Sequence, residues 1–319
     1  MKNINKTLKN ILDFTFFKSL AAIFFYFVVL KILSKIINTQ LFSLELIKRN
    51  KTIDDYNLFL ENNPLVKQIS DLPSVYKDSF LRSSSLDQLL VYLILFILVF
   101  LIFFTEIKKD SKEFFTKKVY ENDSIKENTE IPDSNFEYAD NKKVKTNNEP
   151  INLSQLSNKT SKYYKIVTYT IFAYLVNIVG SLISFLIKYI VENGNITEIT
   201  SRNQDGLNLL LQSNTTNALL IIPSICILGP IVEELIFRKS IFNIFKAKYV
   251  SIVISAVLFG FMHTIDSNYT NLSLLIANTI PYLFLGLYLA YIYSKENKNI
   301  IYPILIHMIL NTISILFII

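Results

Sequence analysis

Residues 219–238 read LLIIPSICILGPIVEELIFR, an apolar run that ends in two adjacent carboxylates and a guanidinium. Such a run is suited to cross a membrane as a helix, where charged side chains are costly unless they are paired or face a cavity. In a helix Glu234 and Arg238 lie four residues apart on one face, so we expect them to form an ion pair. Glu233 points about 100° away round the helix and is left available for chemistry.

Both histidines of the chain fall in later apolar segments. His263 ends the run FGFMH that begins at Phe259, and His307 begins the run HMILN that ends at Asn311. His307 and Asn311 therefore lie one helical turn apart on the same face. Together with the carboxylate pair on a third segment, these side chains predict a functional site inside the membrane rather than separately buried histidines.

The composition is that of a membrane protein with several spans. The chain has 319 residues, of which 51% are hydrophobic, and its mean hydropathy is +0.36. The net charge of +6 comes from lysines that cluster between the apolar segments, so we expect contact with lipid head groups and no nucleic-acid partner. Cys226 is the only cysteine, which excludes an internal disulfide and a thiolate metal site.

The apolar segments predict an all-α, polytopic bundle of about seven transmembrane helices, with six and eight as the limits. They cover about 20–37, 86–105, 164–191, 215–237, 249–265, 272–293 and 300–319. The first has no small-x-small cleavage site, so we expect an uncleaved span. We divide the chain into an N-terminal region of two spans with an intervening loop (1–105), a polar, flexible cytoplasmic linker (106–162) and a domain that carries the site (163–319).

Lysine placement predicts the orientation. The N-terminus, the linker, the segment after Arg238 and the turn at 294–299 all carry lysine, whereas 192–214 carries only Arg202 and 266–271 carries no Lys or Arg. The positive-inside rule then places the N-terminus in the cytoplasm and the C-terminus outside. The loop at 38–87 fits less well because it has six Lys or Arg. A Lys-, Asn- and Ile-rich chain without Trp is typical of AT-rich bacterial genes, so we expect a multi-pass protein of the bacterial plasma membrane.

The three motifs, in this order on three spans, resemble those of the CPBP family of intramembrane proteases, which comprises the type II CAAX prenyl endopeptidases and their bacterial Abi (abortive-infection) relatives. The motifs are Glu233-Glu234-x-x-x-Arg238, Phe259-x-x-x-His263 and His307-x-x-x-Asn311. The resemblance covers about 160–319 and implies a helix bundle around a water-filled cavity in which a peptide bond is hydrolysed.

The resemblance also implies a role for each motif residue. Glu233 would be the base that activates water, and His263 would help to hold that water. His307 and Asn311 would bind the oxyanion, while Glu234 and Arg238 would form a supporting ion pair. Amide hydrolysis needs such a base, such donors and an acid for the leaving amine.

A zinc mechanism is the alternative. Glu233, His263 and His307 also make a His₂Glu set, which is a known catalytic zinc shell. However, with Glu233 as a ligand and Glu234 tied to Arg238, no carboxylate is left to act as a base. We therefore favour catalysis by Glu233 without a cofactor and keep zinc as the competing mechanism.

The sequence predicts an intramembrane endopeptidase that acts on a membrane-associated protein or peptide. The resemblance suggests bacterial peptide processing or bacteriocin self-immunity as its context. The competing interpretation is a non-catalytic immunity or scaffold protein, although retention of all four site residues argues against it. Asp266, three residues after His263, is a weaker candidate as a partner of that histidine, because its position favours the turn outside the membrane. The sequence does not define the substrate, the oligomeric state or a role for the N-terminal spans.

Overall fold

The computed structural model describes residues 14–66, 68–116, 153–194, 202–265 and 271–318. These residues form helices and short turns without a β-strand among them, which confirms the predicted all-α bundle. The helices are α1 (Phe14–Ile47), α2 (Ile53–Asn62), α3 (Ser74–Thr116), α4 (Leu153–Val191), α5 (Arg202–Ser213), α6 (Thr215–Ile244), α7 (Lys248–Met262), α8 (Leu272–Lys295) and α9 (Ile301–Leu316).

Among the described residues, five helices are long and apolar enough to cross a membrane, namely α1, α3, α6, α8 and the part of α4 from Lys162 to Val191. The apolar helices α7 and α9 are shorter, with 15 and 16 residues. All seven predicted segments are thus helical, and the chain is a multi-pass membrane protein.

The helix ends differ from the predicted ones. Helix α3 continues to Thr116, beyond the predicted span end at 105, and α4 begins at Leu153. The flexible linker predicted for 106–162 is therefore helical at both ends, and its central part lies outside the described residues, as does Asp266. Helix α3 extends because its last turns are used in packing: Asp110 and Phe114 are buried there.

The N-terminal helices pack directly on the helices that carry the motifs. One core cluster joins Tyr26 of α1 and Val99 and Phe103 of α3 to Phe237 of α6 and Phe259 of α7. The Tyr26 and Phe237 rings meet edge to face with centroids 5.6 Å apart, a favoured aromatic arrangement. The first two spans therefore form one wall of the bundle.

Within the described part of the chain, three helix turns are of the π type, with one extra residue per turn. They lie at Val29–Leu33 in α1 and at Ser224–Leu228 and Leu235–Ser240 in α6. A π turn shifts the side chains that follow it and leaves backbone groups free to bind other partners, which is why such turns are frequent at functional sites. The two in α6 flank the Glu233-Glu234 pair on either side.

Candidate active site

Glu234 and Arg238 lie together in the protein interior. Arg238 Nε is 3.0 Å from Glu234 Oε2, and both side chains are 0% exposed. The contact has ion-pair distance without hydrogen-bond geometry, and none of the three Arg238 nitrogens makes a hydrogen bond with the described residues. The guanidinium instead lies over the Phe259 ring, 4.6 Å from its centroid. The positive charge is thus balanced by one carboxylate and by the face of one ring.

Glu234 has a second partner, His307. His307 Nδ1 is 2.9 Å from Glu234 Oε1, and both groups are buried. As the ion-pair partner of Arg238, the Glu234 carboxylate can only accept, so Nδ1 carries the hydrogen. The bond fixes the ring so that Nε2 is the nitrogen left for the site.

His263 is held in the same way by a different acceptor. Its Nδ1 lies 2.8 Å from the carbonyl oxygen of Phe259, one turn earlier. A carbonyl oxygen can only accept, so Nδ1 donates and Nε2 is again the free nitrogen. Tyr282 stacks on the ring with centroids 4.4 Å apart and an interplanar angle of 20°, which restricts its rotation.

The two free nitrogens meet at one carboxylate oxygen. His263 Nε2 and His307 Nε2 are each 3.9 Å from Glu233 Oε2. These distances are too long for direct hydrogen bonds. When both imidazoles are neutral, each presents a lone pair there, as does the carboxylate, and the three acceptors need a species that supplies hydrogens or positive charge between them. When His307 carries a second proton, its Nε2 is a donor to the same point.

Tyr92 of α3 is a site residue that the sequence did not reveal. Its hydroxyl donates to Glu233 Oε1 at 3.2 Å. The bond occupies the carboxylate oxygen that faces away from the histidines and leaves Oε2 for chemistry. Tyr92 was hidden because it lies among apolar residues of a span, where tyrosine is ordinary, and its partner is 141 positions away.

Asn311 lies on the cavity wall and is oriented by the backbone. Its Nδ2 donates to the carbonyl oxygen of Ile225 at 2.9 Å. Ile225 belongs to the π turn Ser224–Leu228, so an irregular turn provides the acceptor. The bond fixes which end of the amide is the nitrogen, and the second hydrogen of Nδ2 remains for another acceptor.

The same π turn needs a glycine where it approaches Glu233. A Cβ at Gly229 would lie 2.8 Å from the Ser224 carbonyl oxygen, 3.5 Å from the Tyr92 ring and 3.7 Å from Glu233 Oε1. The first of these distances is a clash with backbone, which cannot move as a side chain can. Gly229 thus permits the π turn to close on the Ser224 carbonyl beside Glu233.

Phe259 is the apolar floor of the site. Besides Arg238, its ring contacts His263 at 4.6 Å and His307 at 5.8 Å between centroids. It is 1% exposed. The ring keeps water from the ion pair and separates the pair from His263, so it supports the geometry without taking part in proton transfer.

The predicted site residues line one cavity of about 300 Å³. Glu233, His263, His307, Asn311 and Phe259 all form part of its wall, whereas Glu234 and Arg238 lie behind it. Side chains from outside the motifs complete the wall, among them Tyr26, Gln88, Tyr92, Gln204, Ser314 and Ile318. The volume is at the lower end of the range for ligand pockets.

Three donor atoms of the site are of the kinds that bind zinc. The two Nε2 atoms and Glu233 Oε2 have the right chemistry for zinc, with both Nδ1 atoms hydrogen-bonded as is usual for ligating histidines. Within the described parts of the chain, however, no three His, Cys, Asp or Glu side chains have the spacing of a metal site. The donor types fit zinc, while their present separation suits a bridging water.

Comparison with known proteins gives a family match for the part of the chain that holds the three motifs. Residues 215–313 match the family profile described as Type II CAAX prenyl endopeptidase Rce1-like. The match spans α6 to α9 and includes every motif residue. No solved structure matches the chain.

Three curated relatives align with part of this chain, over 85 to 148 residues. "UPF0177 protein YxdF" of Lactococcus lactis subsp. lactis (strain IL1403) is 38% identical over 85 residues, which is 27% of this chain and 42% of the relative. "Putative membrane peptidase YdiL" of Bacillus subtilis (strain 168) is 32% identical over 114 residues, or 35% of this chain and 42% of the relative. An "Uncharacterized protein" of Mycoplasma capricolum subsp. capricolum is 28% identical over 148 residues, again 42% of the relative. The chain thus spans less than half the length of these relatives.

Proposed function

We propose that the protein is an intramembrane endopeptidase that hydrolyses peptide bonds with water activated by Glu233, since residues 215–313 match the profile described as Type II CAAX prenyl endopeptidase Rce1-like. The observation that carries the proposal is the meeting of His263 Nε2 and His307 Nε2 at Glu233 Oε2, at 3.9 Å each. Such spacing leaves room for a water in contact with all three groups.

In the proposed mechanism this water donates one hydrogen to Glu233 Oε2 and the other to His263 Nε2. Glu233 takes the first proton as the water oxygen attacks the carbonyl carbon of the scissile bond. His263 accepts the second hydrogen bond and fixes the direction of attack. Tyr92 holds the other oxygen of Glu233, so the base meets the water in one orientation.

The tetrahedral oxyanion would be bound by His307 and Asn311. His307 can donate from Nε2 only as the imidazolium, because its Nδ1 hydrogen is already given to Glu234. With His307 in that form, the charges of Glu233, Glu234, Arg238 and His307 add to zero. Asn311 supplies the second donor through the Nδ2 hydrogen that Ile225 does not use.

Collapse of the intermediate breaks the carbon–nitrogen bond. Glu233 then returns the proton that it took from water to the leaving amine, so the reaction consumes one water and regenerates the carboxylate. One carboxylate thus serves as base and then as acid. The products are a new carboxyl terminus and a new amino terminus.

A zinc mechanism is the second candidate, and the same convergence of acceptors supports it. A bound zinc would act as a Lewis acid on the scissile carbonyl and on water. In that case Glu233 would be a ligand, and Glu234 is engaged by Arg238 and His307, so neither motif carboxylate would be left as a base. We favour the metal-free mechanism for that reason.

For the substrate we propose a membrane-associated protein or peptide, in the context of bacterial peptide processing or bacteriocin self-immunity. The Bacillus subtilis relative is named as a membrane peptidase, which supports the reaction class. A non-catalytic immunity or scaffold role is the competing proposal, and it makes no use of the ordered contacts around Glu233.

The proposal is tested by peptidomics of membrane and secreted fractions from cells that produce either the wild-type chain or Glu233→Gln. This substitution keeps side-chain volume and removes the base. We expect peptides that occur only with the wild type, together with their uncleaved precursors in the variant. Identical peptide populations at equal protein levels would leave the scaffold interpretation as the better account.

A further inference from the structure

The cavity extends from the site toward one end of the bundle only. At its inner limit are Glu233 and His307. At its other limit are Ile318, which follows the end of α9, and Gln204, in the first turn of α5. This open end is where α1, α4, α7 and α9 finish and where α3, α6 and α8 begin.

At the opposite end of the bundle α1, α7 and α9 begin, and α3, α6 and α8 finish. Buried aromatic side chains fill its interior, and we call it the closed end. Phe237, Phe242 and Tyr293 lie there and are 1%, 2% and 1% exposed. The Phe242 and Tyr293 rings meet edge to face at 5.0 Å. This apolar layer lies between Glu233 and that face of the membrane.

A buried group of polar contacts around Asp110 connects three helices at the closed end. Lys239 Nζ lies 2.7 Å from Asp110 Oδ2, and Asn299 Nδ2 donates to the Asp110 carbonyl oxygen at 2.8 Å. The backbone N–H of Ile300 donates to Asp110 Oδ2 at 3.3 Å. Three helix ends are thereby joined, which makes this end the rigid base of the bundle rather than an entrance.

The two ends also differ in charge. The closed end carries Lys239 near the end of α6, Lys246 and Lys248 where the chain passes into α7, and Lys295 and Lys298 where it passes from α8 to α9. At the open end, 192–214 carries only Arg202 and 266–271 carries no Lys or Arg. The segment between α1 and α3 is the exception: its basic residues, Lys48, Arg49, Lys51 and Lys67, are matched in number by Asp54, Asp55, Glu61 and Asp71. The positive-inside rule assigns the lysine-rich, closed end to the cytoplasm and the open end to the outside.

From these observations we propose that the site takes its substrate from the extracytoplasmic face, as a peptide segment of an exported or membrane-anchored chain. The inference rests on the proposed peptidase function and adds the side from which the substrate comes and its class. A cytoplasmic protein whose C-terminus is to be cleaved would face the closed end of the bundle and not the open end.

The lining of the open part fits an unmodified peptide. Gln88, Gln204, Asn311 and Ser314 supply neutral amide and hydroxyl groups along the wall, which match the N–H and C=O groups of a peptide backbone. Apolar side chains such as Leu207 and Ile315 line the same part of the cavity. This mixture suits an extended chain with alternating side chains, and a purely hydrocarbon ligand would leave the amide groups unpaired.

The test measures which side of the membrane reaches the cavity. Ser314→Cys and Gln88→Cys each place a thiol on the wall, and Lys246→Cys places one on the exposed turn at the closed end. Each is made in the full chain, in which the native Cys226 is buried and the wild type gives the background. Intact cells are treated with a small, charged, membrane-impermeant methanethiosulfonate, and remaining thiols are counted after denaturation by gel shift with a maleimide polymer.

We expect Ser314→Cys and Gln88→Cys to react in intact cells and Lys246→Cys to react only after permeabilisation. Wall thiols that react only after permeabilisation, or in neither condition, would overturn the inference, as would a Lys246→Cys that reacts in intact cells. The labelling needs no catalysis and is repeated with Glu233→Gln. A correct labelling pattern without any change in the peptidome would refute the peptidase proposal alone, and a reversed pattern with a changed peptidome would refute the access proposal alone.

Discussion

His307 Nδ1 donates to Glu234 Oε1 at 2.9 Å, so the carboxylate that neutralises Arg238 also orients a histidine of the site. The two residues belong to different motifs, 73 positions apart. Glu234 is therefore more than the partner of an arginine: it sets which nitrogen of His307 faces Glu233. The two glutamates therefore have different roles: Glu233 faces the cavity, and Glu234 lies behind it.

Glu234→Gln is expected to destabilise the protein strongly. The substitution keeps the volume and removes the charge that balances Arg238, which is 0% exposed. Loss of one partner of a buried ion pair typically costs about 3–5 kcal/mol. The measurement is thermal unfolding of the purified protein in detergent, with Glu233→Gln as the matched control.

Glu233→Gln is expected to unfold close to the wild-type temperature, because Glu233 borders the cavity and makes one hydrogen bond, with Tyr92, among the described residues. Equal unfolding temperatures for wild type and both variants would show that the assigned division between the two glutamates is wrong.

Tyr92→Phe is expected to slow catalysis without unfolding the protein. The hydroxyl is the donor to Glu233 Oε1, and a hydrogen bond to a charged group contributes about 1.5–3 kcal/mol, or roughly ten- to a hundredfold in kcat if it orients the base. Tyr26→Phe is the control, since that hydroxyl lies on the same cavity wall and makes no hydrogen bond with Glu233. If the two variants lose activity equally, the hydroxyl of Tyr92 has no specific role.

His307→Ala and Asn311→Ala should each lower kcat by about 10²–10³ with little change in KM, because an oxyanion donor acts only near the transition state. The double variant should lose less than the product of the two factors, since both donors serve one charge. Steady-state kinetics on a cleaved peptide measures all three. A main effect on KM would instead indicate that these side chains bind substrate.

The metal-free mechanism predicts that the purified protein contains no stoichiometric zinc and keeps its activity in EDTA and phenanthroline. Elemental analysis and the activity after chelation are measured on the same sample. Zinc that is lost together with activity and restores it on re-addition would establish the alternative, with Glu233, His263 and His307 as ligands.

The sequence predicted the fold class well because the long apolar helices and the motifs are local features. The family profile that matches residues 215–313 covers all three motifs and agrees with the resemblance that they indicated. The ion-pair distance between Glu234 and Arg238 also follows from helical spacing, although the helix changes to a π turn at Leu235. The spans were recognised from hydropathy alone, and their ends were not, since α3 continues to Thr116 through a helical turn that packs Asp110.

The contacts between distant segments could not be read from the sequence. Tyr92 reaches Glu233 from a span in which the sequence indicates no functional residue. Asn311 binds the carbonyl oxygen of Ile225, which lies in a π turn. Neither contact has a spacing rule. They depend on which helices are neighbours and on irregular backbone, which one sequence does not specify.

The central claim is that Glu233 activates water for peptide-bond hydrolysis. Its most direct test uses the full chain in proteoliposomes with a peptide found by the peptidome comparison, and measures cleavage by mass spectrometry for the wild type and Glu233→Gln. We predict cleavage at one bond by the wild type and none by the variant, although the variant binds the peptide and unfolds like the wild type. Cleavage by Glu233→Gln at the wild-type rate would contradict the account.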